Sequence, residues 1–180
     1  MSLRDRAVGR PQEAAPVSKR IGRWGVGPLF TAVSLGYSAA ALCVTAPHRA
    51  FFWMKWLPEH VRWTLASLLA LVGVAFFLLA LRDFGRAYAS DELVTTGTYS
   101  WCRHPIYASR IVFPVPALVL FADSWLGLTV PLFMYAVARV LVRREEKELV
   151  RDFGRPYTEY RQQTPCILPF GRCLLKQRRK

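Results

Sequence analysis

The 180-residue chain is poor in acid: twelve Asp and Glu stand against twenty-five Lys and Arg, for a formal net charge of +13. Cysteine is sparse, and Cys43, Cys102, Cys166 and Cys173 form no CxxC or other metal-ligand spacing. No metal site is therefore expected, and the thiols read as unpaired and inert. Gly22, Gly25 and Gly27 do not make a GxGxxG, and no strand precedes them. The DFG triplets at 83–85 and 152–154 lack the glycine-rich and catalytic loops of a kinase. A soluble nucleotide-binding domain is excluded. So is a soluble nucleic-acid binder, which could be this basic but would not carry long apolar runs.

Those runs are what the chain does have, with 53% hydrophobic residues. Gly25 to Ala46 is 22 residues without a charge, and Val61 to Leu81 is 21 with Arg62 at its edge as the one charge. Pro105 to Ala122 holds Arg110, Pro114 and Pro116, and Trp125 to Val142 holds Arg139. A spanning helix needs about 20 apolar residues, so an all-α membrane protein with four transmembrane helices is expected. Val44-Thr45-Ala46 resembles a signal-cleavage site, but the apolar core before it exceeds the usual length of about 7–15, and the first run is read as a span. Asp123-Ser124 alone joins the last two runs, which implies a tight helical hairpin. All six tryptophans (24, 53, 56, 63, 101 and 125) lie at or near run ends, as in an interfacial aromatic belt.

Residues 1–24 read as a disordered basic arm and 25–180 as the membrane domain. The arm, the 82–104 loop and residues 143–180 carry twenty Lys and Arg, against three in the 47–62 loop and none in the Asp123-Ser124 turn. Both termini and the central loop are expected on the cytoplasmic side, where Cys102, Cys166 and Cys173 stay reduced. LRDFGR at 81–86 returns as VRDFGR at 150–155, and each glycine is read as a helix end.

Polar residues converge at that side. Pro105 suits a first helical position, which places His104 at the cap and Tyr107 in the first turn, with Arg103 beside free backbone N–H groups. Arg103-His104 supplies a cationic pole and Glu145-Glu146, across the hairpin, an anionic one. Lined by Tyr99, Trp101 and Tyr107, the pair would suit a zwitterionic ligand with an aromatic base. Each signal also has a plain structural reading: Arg103 snorkelling, belt aromatics, Arg143 and Arg144 as anchors, and the glutamates as a solvated helix face.

Order and spacing add to this. LVTTGTYSWCRHPIYAS, then EEKELVRDFGRPYTEYRQQTPCILPF, resembles the membrane methyltransferases related to isoprenylcysteine carboxyl methyltransferase and the phospholipid methyltransferases. Leu93, Val94, Thr95, Gly97, Tyr99, Arg103, His104, Pro105 and Tyr107 match the first pattern of that family. Glu145, Glu146, Leu149, Phe153, Gly154, Tyr157, Tyr160 and Pro165 match the second, and the likeness covers 81–170. The resemblance implies S-adenosylmethionine as cofactor, bound by Asp91, Glu92, Leu93, Val94, Tyr99, Arg103, His104, Pro105, Ile106, Tyr107 and Glu145. The tail after Gly154 would act as a lid, and a lipophilic or small methyl acceptor would arrive from the bilayer. Tyr99 and Tyr107 would pack on the cofactor, His104 and Arg103 hold its carboxylate end, and Glu145 its amino or ribose groups. Glu146 and Arg144 are the candidates for positioning the acceptor. No nucleic acid and no obligate protein partner are implied; a nicotinamide-dependent reductase and a non-catalytic membrane protein are the rival readings.

Four positions depart from the family. Ser109 stands for the usual glycine, and Leu141 for an arginine of the isoprenylcysteine branch; Arg110 and Arg139 place charges inside helices. Arg139 shares a helical face with the glutamates, while Arg110 is read either as functional or as snorkelling.

Overall fold

The computed structural model describes residues 27–90 and 93–168. The basic arm, Asp91, Glu92 and Cys173 lie outside the described residues. Among the described residues seven α-helices run in order: α1 Gly27–Thr45, α2 Arg49–Phe52, α3 Glu59–Ser90, α4 Pro105–Val112, α5 Pro114–Ala122, α6 Thr129–Phe153 and α7 Arg155–Gln163. Short 3-10 turns cover Gly97–Ser100 and Trp125–Leu128, and the described residues contain no strand. Four helical stretches among the described residues are long and apolar enough to cross a membrane: Gly27–Thr45, Glu59–Arg86, Pro105–Ala122 and Trp125–Phe153. Their outer faces stay apolar, with Leu71 and Leu132 each 71% exposed. Water would not tolerate such faces, whereas lipid tails do. The chain is an integral membrane protein.

α3 packs on α4 and α5, α1 leans on α6, and α4 bridges to α6, with α7 folded back on α6. Phe30, Tyr107, Ala108, Ile111, Met134, Ala138 and Val142 fill the core between α1, α4 and α6. The third span is broken at Phe113. Pro114 and Pro116 lack the N–H that would satisfy the carbonyls of Arg110 and Val112, so α4 and α5 meet at a kink. Gly73 of α3 faces that kink, where a Cβ would lie 2.5 Å from the Phe113 Cβ. Glycine is required there by close approach rather than by backbone angle.

The two DFG repeats part company. Gly154 has φ of 60° and ends α6, as expected, but Gly85 lies inside α3, which runs on to Ser90. The following residues account for the difference. Pro156 comes two positions after Gly154 and cannot continue the helix, whereas Arg86-Ala87 follows Gly85 and can.

The hairpin at Asp123-Ser124 is tight, as its sequence implies. Asp123 takes the left-handed conformation (φ 55°) that short polar side chains tolerate. Its carboxylate accepts from Arg62 Nη1 at 2.7 Å, with the two side chains 9% and 10% exposed. Ser124 Oγ meets Thr45 Oγ1 at 3.2 Å, so α1 and α3 are both tied to the same turn. Removing one partner of a buried ion pair strands the other charge, at about 3–5 kcal/mol. Arg62→Met is expected to lower the thermal midpoint of the detergent-solubilised protein by that much stability, and adding Asp123→Asn should restore most of it. A single variant that melts like the parent would show the pair to be dispensable.

Candidate functional site

The site lies at the bundle end opposite the Arg62–Asp123 pair. Its framework begins in the first DFG repeat. Asp83 Oδ2, on α3, accepts from the backbone N–H and the hydroxyl of Thr98, both at 2.8 Å. This ties Gly97–Ser100 to α3. Gly97 has φ of 63°, and a Cβ there would collide with the Asp83 carboxylate, so its backbone angle and its space both demand glycine. The sequence signal for Asp83 was the repeat itself, read only as a helix end.

From there the chain reaches His104, which sits at the N-cap of α4 with Pro105 next, as the sequence implies. Arg103 turns toward α6 and the closing segment. Its Nε and Nη2 contact Glu146 Oε1 at 2.8 and 2.6 Å, and its Nη1 donates to the carbonyls of Arg161 (2.8 Å) and Thr164 (2.6 Å). Four of its donor contacts are thus spent within the protein, and a bidentate or multiply bonded guanidinium of this kind is strong and geometrically specific. Arg161 Nε approaches Glu146 Oε2 at 3.3 Å, so both oxygens of that buried carboxylate face guanidinium. The backbone joins in: the N–H groups of Arg103 and His104 donate to the carbonyls of Pro165 (2.9 Å) and Cys166 (3.1 Å).

Glu145 is different. Its side chain is 24% exposed; Oε1 accepts from the Tyr107 hydroxyl at 2.8 Å, and Oε2 lies 3.5 Å from His104 Nδ1. His104 Nε2 is buried, stands 3.7 Å from Glu146 Oε1, and has no hydrogen-bond partner among the described residues. Tyr157 Oη is buried and unpaired in the same sense. Two buried polar atoms beside a reachable carboxylate are what a polar ligand with complementary groups would satisfy. Tyr99 offers its carbonyl to Tyr160 Oη at 2.6 Å, closing α7 over the site, and burial pushes the Tyr99 phenol above its usual value. The Tyr99 phenol therefore stays neutral.

The remaining expected residues are less central. Leu93, Val94 and Ile106 are half-buried and Pro105 is buried, while Arg144 is exposed on α6. Trp101 is 61% exposed and stacks toward Phe76 of α3, away from the carboxylates. Arg139 is exposed on α6. Ser109 is fully buried and its hydroxyl donates to the Ile106 carbonyl at 2.9 Å, so a serine fits where α4 is packed.

His104, Glu146 and Cys166 bring potential metal-ligating atoms within 4.8 Å of one another. Arg103 already occupies the carboxylate, and burial raises the Cys166 thiol above its usual value, which keeps it protonated. A cation would have to displace a guanidinium and a proton, and we assign no metal here.

With this geometry in hand, residues 67–151 match the profile of the isoprenylcysteine carboxyl methyltransferase (ICMT) family. The match spans 85 of the chain's 180 residues, from within α3 to near the end of α6. It is 28% identical over 156 residues to protein-S-isoprenylcysteine O-methyltransferase of Mus musculus and 27% to that of Homo sapiens, in each case over 76% of this chain and 52% of the relative. A shorter likeness, 34% over 80 residues, joins it to the nickel-cobalt-cadmium resistance protein NccN of Alcaligenes xylosoxydans, over 44% of this chain and 37% of the relative. The chain spans about half the length of the isoprenylcysteine methyltransferases it matches.

Cys102 shows how dry this segment is. It is 1% exposed, and burial pushes its thiol up to about 11. Below that pH the neutral thiol dominates, leaving roughly one thiolate in a thousand at pH 8. Alkylation of Cys102 by iodoacetamide at pH 8, followed by peptide mass spectrometry, is expected to run at least 100-fold slower than that of free cysteine. A comparable rate would mean that the closing segment opens freely. Separately, Gly97→Ala should cost about 1–3 kcal/mol of stability through its positive φ alone, read as a lower melting midpoint.

Proposed function

We propose that the chain is a membrane methyltransferase that uses S-adenosylmethionine and transfers its methyl group to a lipophilic acceptor of the isoprenylcysteine type. The observation that carries this reading is the meeting of the two separated motifs: Tyr107 and His104 on Glu145, and Arg103 on Glu146, about forty residues apart in sequence. The match of residues 67–151 to the ICMT family profile supports it. So does the chemistry of the donors present, since Glu145 is an accessible carboxylate held between a phenol and an imidazole.

The cofactor, when bound, supplies an electrophilic methyl group on a cationic sulfur. Glu145, Tyr107 and His104 would hold its polar end, with Tyr99, Leu93, Val94, Pro105 and Ile106 along the same wall. A carboxylate and aromatic rings favour a sulfonium, more so where water is excluded. Arg103 and Glu146 are better suited to a positioning role than to ligand contact, because they hold the closing segment against α4 and α6. Alignment of acceptor, methyl and leaving group is the main work such a site does, and a shut segment serves alignment and dryness together. Arg144, exposed on α6, would help to position the acceptor at the site's mouth. The excess of Lys and Arg on this end of the bundle supports a cytoplasmic site with both termini on that side.

Purified protein incubated with methyl-labelled S-adenosylmethionine and a native membrane extract is expected to label a lipophilic product. Glu145→Gln and His104→Ala should each reduce transfer at least 100-fold while the protein remains folded. Labelling at background in every fraction, for parent and variants alike, would defeat the proposal. Saturable binding of a reduced nicotinamide dinucleotide in its place would favour the reductase reading.

A further inference from the structure

Arg110 lies one helical turn beyond Tyr107 on the same stripe of α4, where residues three apart are neighbours. It does not turn back toward the membrane surface. Its Nη1 donates to Thr31 Oγ1 of α1 at 3.0 Å, and its guanidinium lies 5.3 Å from the Phe77 ring centre of α3. Thr31 in turn donates its hydroxyl hydrogen to the Gly27 carbonyl at 2.9 Å, so it meets Arg110 as an acceptor. No ion pair among the described residues involves Arg110. A guanidinium carries five N–H donors, and a threonine oxygen and a ring face leave most of them unanswered.

The position is specific. α1 leans on α6 and α3 on α4 and α5, so Arg110 spans the seam between two helices that are held apart by α4. Directly above it, Phe30 meets Tyr107 edge-on at 5.0 Å, and Tyr107 carries the bond to Glu145. Toward the bilayer from Arg110 comes the α4–α5 kink, with Phe113 and Phe76 at 5.9 Å. From the kink toward Glu145 the side chains along α4 therefore come in order: aromatic rings, one guanidinium, then the candidate site. An ionised side chain at membrane depth that is bonded only to neutral groups is suited to receive an anion.

We propose that Arg110 is the acceptor's anion-binding residue: the lipophilic acceptor carries a carboxylate, which enters the α1–α3 seam and pairs with the Arg110 guanidinium below Tyr107. The inference rests on the methyl-transfer reading for the meaning of that carboxylate, but the anion site itself can be measured without any transfer. The full chain in detergent is titrated with a farnesyl thioether bearing a free carboxylate, with its primary amide, and with a phosphatidic acid, following tryptophan fluorescence. S-adenosylmethionine binding is measured on the same samples. The parent is expected to bind the acid at least about tenfold more tightly than the amide. Arg110→Gln should remove that preference without changing amide or S-adenosylmethionine affinity, and Arg110→Lys should keep part of it. Equal binding of acid and amide by the parent, or a loss of both in Arg110→Gln while Arg110→Lys restores both, would overturn the proposal by making Arg110 structural. Arg110-dependent binding of phosphatidic acid, with none of the farnesyl acid, would also overturn it in favour of a lipid-headgroup site. A retained acid preference in a parent that binds no S-adenosylmethionine would uphold the anion site and sink only the methyl-transfer reading.

Discussion

The contact on which the rest of this end of the molecule depends is the Arg103–Glu146 pair. It joins three parts of the chain that sequence keeps far apart: the loop before α4, the last turns of α6, and the closing segment after Gly154. One guanidinium reaches Glu146 and two carbonyls of the closing segment at once. With its neighbouring N–H groups bonded to Pro165 and Cys166, this is a clasp rather than a single ion pair. A buried ion pair is weak evidence for stability by itself, because desolvation opposes the Coulombic gain. Here the added hydrogen bonds satisfy the geometry, and the result is a defined position for α7.

That clasp also separates the roles of two adjacent glutamates. Residues 145 and 146 are about 100° apart around a helix, so only one can point into the α4–α7 junction. Glu146 does, and is buried under arginine; Glu145 faces Tyr107 and remains partly open. Adjacent residues of one chemical type thus divide into a group that holds the fold shut and a group left for a ligand.

The opposite end of the bundle solves a different problem with similar means. Arg62 and Asp123 are paired inside the protein, while Thr45 and Ser124 join the first span to the same turn. A tight hairpin in α5–α6 therefore anchors α1 and α3 as well. Between these two polar ends the helices are apolar and loosely buried by one another, and the bilayer completes them.

Much of this was legible in the sequence, because hydropathy, tryptophan position and proline chemistry act locally. The spans, the hairpin, His104 at a cap before Pro105 and the helix end at Gly154 all follow from residues close to one another. The helical continuation through Gly85 was misread, since the same hexapeptide ends a helix only when a proline follows. What the fold alone decided are contacts between elements: Asp83 on Thr98, Arg103 on the closing segment, Glu146 inward and Glu145 outward, and Arg110 on Thr31 and Phe77. No spacing rule reports which way an arginine turns within a bundle. That choice is set by which neighbouring helix offers an acceptor, and tertiary packing is what supplies the neighbour.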